Sequence, residues 1–254
     1  MEEIEVVEVE EIEVDSPVLI EGLPGVGHVG KLVVEHLVEE LDSRLVRRIY
    51  SHHFPPQCTV DEDGMTELVC AELYHCELGD TDALVLTGDH QSQTIDGHYK
   101  IATHLLDLAD RFDVSSVYTL GGVATGEMIE EYGVVGASND EAMVDEIEEY
   151  GVEFGEGEPE GGIIGVSGLL LGMGETRGYS GVCLMGETSG YVVDPKSAQA
   201  VLDVLMEALD FEVGTQELEE RAEEMEEVVS RLEEMNQDME LPGMPGEEDL
   251  RYIG

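Results

Sequence analysis

Tryptophan is absent, lysine occurs only at Lys31, Lys100 and Lys196, and aromatic residues make up 5% of the 254 residues. With eleven basic residues against sixty acidic ones, the formal charge is −49. No basic face can therefore form to displace the counterions of a phosphate backbone, which excludes nucleic acid as a partner. No apolar run approaches the ~18 residues that a membrane-spanning helix needs. The four cysteines, Cys58, Cys70, Cys76 and Cys183, form no C-x-x-C pair. That spacing gives neither a zinc ribbon nor a redox motif, and reduced thiols are expected. The acidic, alternating start lacks the basic and apolar regions of a signal peptide, so a cytoplasmic protein is expected.

What is present is a hydrophobic fraction of 42%, enough for one sizeable α/β core at this length. The acids run through periodic, core-forming segments rather than blocks, which argues for a folded chain. Such a charge repels itself in dilute salt, whereas molar salt shortens the Debye length to about 3 Å. Adaptation to high internal salt, as in an extreme halophile, accounts for the balance. The alternative is an acidic protein that binds basic partners.

Residues 4–14 alternate with period two as a strand with one wet face. A buried strand at 17–22 leads through glycines into a helix over 26–41. Strands are expected at 44–50 and within "TELVCAEL" and "YHCEL", around a hairpin turn at "DEDG". "DALVLTG" (82–88) is the clearest buried strand, followed by a helix over 95–111 and a strand over 114–122. Residues 127–154 give a helix start, a strand at "YGVVGAS" and an acidic helix from Asn139. "GGIIGVSGLLLGMG" is too rich in glycine for a surface helix and is expected to pack closely against backbone. A strand over 179–187 precedes a helix with Asp194 as N-cap and Pro195 in the first position. Strands alternating with helices predict a single α/β domain over residues 1–212, its sheet mostly parallel and flanked by helices.

The tail differs. Leu218, Ala222, Met225, Val229 and Leu232 form a heptad seam in an acidic C-terminal helix over 213–238. A flexible tail is expected over 239–254, where Pro242 and Pro245 oppose helix.

"IEGLPGVGHVGKLVVEHL" (20–37) matches two nucleotide motifs at once. Gly25, Gly27 and Gly30 fit G-x-G-x-x-G, and Gly25, Gly30 and Lys31 fit most of a P-loop. Leu32 stands where a P-loop needs a magnesium-binding hydroxyl, and Pro24 has no N–H to offer. The dinucleotide reading lacks an acid at the end of the second strand, "IYSHHF". A turn that lets strand and helix backbones touch explains the glycines more simply, so no cofactor is expected. "GVSGL" lacks the final glycine of a nucleophile elbow, Leu169 standing there. The histidines form no H-E-x-x-H, and no metal site is expected. A small ligand at the strand edge near Asp89, His90, Asp96, His98, Gly121 and Gly122 is the alternative, in an enzyme or ligand-binding protein acting on a nucleoside-like molecule.

The order of the segments "IEGLPGVGHVGKLVVEHL", "TGDHQSQTIDGHY", "YTLGGVATGE" and the long run from Gly161 to Leu205 resembles the archaeal proteasome assembly chaperone family, in its halophilic branch. The resemblance spans residues 15–212. It implies a phosphorylase-like α/β fold without catalysis, homo-oligomers, and ATP-independent assembly or activation of the proteasome core particle. It further implies a C-terminal arm whose hydrophobic–tyrosine–any-residue tail enters pockets between α subunits. Here "RYIG" puts Tyr252 third from last, after Arg251. Leu250, Tyr252, Ile253 and Gly254 are the partner-binding residues that this resemblance implies.

Overall fold

The computed structural model describes residues 2–222 apart from 62, 128, 130 and 156–160. In chain order the first elements are β1 (Ile4–Glu8), β2 (Val18–Glu21), a short 3-10 turn (Val26–His28) and α1 (Val29–Glu40). Next come β3 (Arg44–Ser51), β4 (Cys58–Val60), β5 (Thr66–Leu68), β6 (Ala71–Leu78) and β7 (Thr81–Gly88). The second half contains α2 (Ile95–Phe112), β8 (Ser116–Ala124), β9 (Val134–Ser138) and α3 (Glu141–Glu148). It closes with α4 (Val166–Arg177), β10 (Ser180–Thr188) and α5 (Pro195–Leu209).

Eight strands form one sheet in the order β1-β3-β6-β7-β2-β8-β10-β9. The sheet is mixed, which corrects the expected mostly parallel one. Only β7–β2, β2–β8 and β8–β10 pair in parallel, and the remaining neighbours are antiparallel. The reason is connection length. Gly79 and Asp80 alone separate β6 from β7, and a parallel pair needs a crossover of a dozen residues or more. From β3 the chain reaches β6 through a small β4–β5 hairpin around "DEDG", again without a helix. At the far edge, the Gly136 amide donates to the Glu153 carbonyl and the Glu153 amide to the Val134 carbonyl, so residue 153 bridges the start of β9 on its outer side.

Strand alternation divides the core between the two faces. Ile20, Leu120 and Leu184 pack with α1, α3 and α5 through Val33, Leu37, Ile147, Val201 and Leu205. Leu19, Val117 and Leu84 pack with α2 and α4 through Ile101, Leu105, Val166 and Leu170. Three helices begin with side-chain caps: Thr94 accepts from the Gly97 amide, Asp140 from Ala142 and Asp194 from Ser197. Each such cap contributes about 1 kcal/mol.

Several boundaries differ from expectation. β1 stops at Glu8 because the Val9 and Glu10 amides both turn to the Val46 carbonyl. α1 begins at Val29 because Gly27 and His28 are left-handed, with φ of 61° and 54°. The segment "TELVCAEL" breaks at Val69–Cys70 into β5 and the start of β6. The glycine-rich run enters α4, where a Cβ on Gly168 would lie 2.2 Å from the Ile163 carbonyl oxygen, the close approach to backbone that was expected. The described residues between 125 and 133 form no helix. Residues 216–222 are helical, with Leu218 fully buried in the α1–α5 face and Ala222 nearly so.

Candidate functional site

The glycine turn leaves β2 and enters α1 across the end of β8. A Cβ on Gly30 would lie 2.1 Å from the Leu120 carbonyl oxygen, and one on Gly22 would lie 2.2 Å from the Gly30 carbonyl. The turn thus brings three backbone segments into contact. The Gly27 carbonyl accepts from the Asp194 amide at 2.9 Å, which ties the turn to the start of α5. Lys31 Nζ is bound by Glu35 at 2.6 Å and Asp89 at 2.9 Å. Its charge is already compensated, and Asp89 serves as an ion-pair partner at the end of β7.

Beside this turn, at the C-terminal ends of β2, β8 and β10, lies a cavity of about 430 Å³. Leu23, Val26, Val123, Ile163, Ile164 and Met185 supply most of its apolar wall, and Gly121 and Gly122 form part of it. Gln91, Ser167 and Cys183 add polar or polarizable groups. Gln91 Nε2 donates to the Pro24 carbonyl at 2.9 Å, which fixes the amide orientation. Its carbonyl oxygen Oε1 is buried without a hydrogen-bond partner among the described residues.

Behind Ser167 and Cys183 runs a row of polar side chains in an otherwise apolar layer. Glu21 pairs with Thr119 across β2–β8, and Thr119 with Cys183 across β8–β10. All three are buried to within 1% of complete. Glu21 Oε1 accepts from the Leu23 amide at 3.1 Å; beyond that the carboxyl makes only a weak polar contact with Ser167, and the Thr119 hydroxyl one with the Cys183 thiol. Burial raises the Glu21 carboxyl from 4.5 to about 7, against the opposing influence of the Ser167 hydroxyl and the Leu23 amide. Burial likewise pushes the Cys183 thiol up to about 12, with Glu21 adding to the effect, so the thiol stays neutral.

The other strand-edge residues do not converge. His90 meets Gln57 at 2.8 Å, Asp96 pairs with Lys100, and burial lowers the pKa of His98. Glu3, His53 and Asp96 come within 4.8 Å of one another, but Lys100 bonds both carboxylates and takes the place of a cation there. Of the arm seam, Leu218 and Ala222 are buried against the domain itself; Met225, Val229 and Leu232 lie outside the described residues, as do Leu250, Tyr252, Ile253 and Gly254. Gly121, Gly122 and the loop that holds Gln91 are marked in the sequence as a strand edge, whereas Glu21 is not. A lone acid closing the apolar run "PVLIEG" was the available signal.

Sheet order, helix placement and the cavity at the parallel strand ends define an α/β protein with a mixed eight-stranded sheet. The chain belongs to the PAC2 family, whose model matches residues 19–233. Uncharacterized protein MJ1210 of Methanocaldococcus jannaschii is 37% identical over 243 residues, spanning 94% of this chain and 93% of the relative. Among solved structures, Pyrococcus furiosus PbaB, an archaeal proteasome activator, superposes with a TM-score of 0.86 at 37% identity. That match covers 92% of this chain and all of PbaB. Pyrococcus furiosus PbaA, an archaeal homolog of proteasome-assembly chaperone, gives a TM-score of 0.78 at 28% identity and 94% coverage of both chains.

Proposed function

We propose that this protein is an ATP-independent proteasome assembly chaperone or activator that self-associates and binds the α subunits of the core particle through its C-terminal arm. The observation that carries the reading is its similarity to a proteasome activator, 37% identical along 92% of this chain. Several arms projecting from one oligomer would engage a ring together, and tethering of that kind raises avidity by about 10² to 10⁴. The charge of −49 belongs to the same proposal, as adaptation to a cytoplasm of molar salt. Under such screening, docking rests on apolar contact by Leu250, Tyr252 and Ile253 more than on long-range attraction.

Deleting residues 249–254 tests the arm. Pull-down of core particle at molar salt is expected to fail for the truncated chain while light scattering shows an intact oligomer. Undiminished binding overturns the tail mechanism. Failure of the full chain to retain any core-particle subunit overturns the proteasome reading itself.

A further inference from the structure

We propose that the cavity beside the glycine turn binds a small organic molecule with an apolar body and N–H donors, neutral or cationic in charge. The volume of about 430 Å³ lies in the range of small-molecule sites, which are apolar clefts with a few placed polar groups. Of the polar groups in its wall, Gln91 Oε1 is a buried acceptor left without a donor among the described residues. A buried acceptor without a partner is costly, so this oxygen calls for a donor from outside the chain.

The Gln91 amide is held in place by a contact unrelated to any ligand, its Nε2 donating to the Pro24 carbonyl. The positive charge nearest the glycine turn, Lys31, is spent on Glu35 and Asp89. An anionic ligand would find no free cation offered by that turn. Leu23, Val26, Val123, Ile163 and Met185 would enclose the ligand's apolar body. This inference stands apart from proteasome binding, since the cavity lies within residues 23–185 and involves no part of the arm.

The test uses the full-length chain with labelled methyl groups in molar potassium chloride, titrated with benzimidazole, benzylamine and benzoate up to about 10 mM, a range that detects weak fragment binding. Benzimidazole or benzylamine is expected to shift the methyl signals of Leu23, Val123 and Ile163 saturably. Gln91→Ala is expected to weaken that binding about tenfold, and Val123→Phe, which narrows the cavity, to abolish it. Melting curves identify any variant that does not fold, and if one of the two fails to fold, the other decides. The proposal is overturned if neither donor probe gives a saturable response at these methyls, if benzoate binds as tightly as benzylamine, or if the folded variants keep wild-type affinity.

Discussion

His36 Nε2 lies 2.6 Å from the carbonyl oxygen of Gly214, a residue 178 positions further along the chain. His36 is fully buried in α1, and this contact anchors the segment that leads from α5 into the C-terminal helical residues. Arg221 adds a second tie from the helix to Glu39 at 3.0 Å, but at the surface, where an ion pair contributes about 0–1 kcal/mol. Replacing His36 by Phe strips the Gly214 carbonyl of its partner. A loss of about 1–3 kcal/mol is expected, with faster amide exchange in residues 214–222 than elsewhere. Uniformly faster exchange throughout the chain would assign His36 to general packing instead.

Gly30→Ala is expected to destabilise the fold by about 1–3 kcal/mol or more, because the neighbouring atom is backbone carbonyl, which cannot rotate away. Gly25→Ala provides the contrast. Its φ of −145° suits any residue and its nearest neighbour lies 3.9 Å away, so a change within about 0.5 kcal/mol is expected. Thermal melts of the two variants separate a packing role from a phosphate-binding one: a phosphate cradle would leave both nearly as stable as wild type.

Glu21 makes stability depend on pH. Its folded value of about 7 lies above 4.5, so the native state holds a proton that the unfolded chain has lost between those values. Below about pH 4.5 both states are protonated and there is no penalty; as pH rises through 7 the penalty grows toward about 3 kcal/mol. Glu21→Gln is therefore expected to gain on wild type between pH 5 and 8 while matching it near pH 4, measured as the difference between paired denaturant titrations. A gain independent of pH would show that the carboxyl is not the cause.

Raising potassium chloride from 0.1 M to molar concentration shortens the Debye length from about 10 Å to about 3 Å. With a formal charge of −49, the melting temperature is expected to rise steeply over that range. A flat or falling curve would remove self-repulsion as a significant term.

The legible parts of the fold were those with a local cause. The apolar run of β7 and the Asp194–Pro195 start of α5 stood out because burial and capping act within a few residues. The α1–β8 contact was foreshadowed by the glycines, although the partner carbonyl at Leu120 was not. Alternation of strands with helices suggests parallel crossovers throughout, while the signal that decides the direction of β6 and β7 is two residues long. Gly79–Asp80, between "YHCEL" and "TDALVLTG", is a hairpin turn of the kind Gly and Asp favour. The candidate cavity was only half visible. Its glycines lay in noticed motifs, but Glu21, Thr119 and Cys183 meet through register across three strands, a relationship that no sequence spacing expresses.

The bridge from residue 153 to the start of β9 leaves the two borders of the sheet unlike each other. A strand approaching β9 from another molecule would meet that bridge first, whereas β1 carries none on its outer side among the described residues. The β1 border is therefore the one where an added strand would displace the fewest bonds.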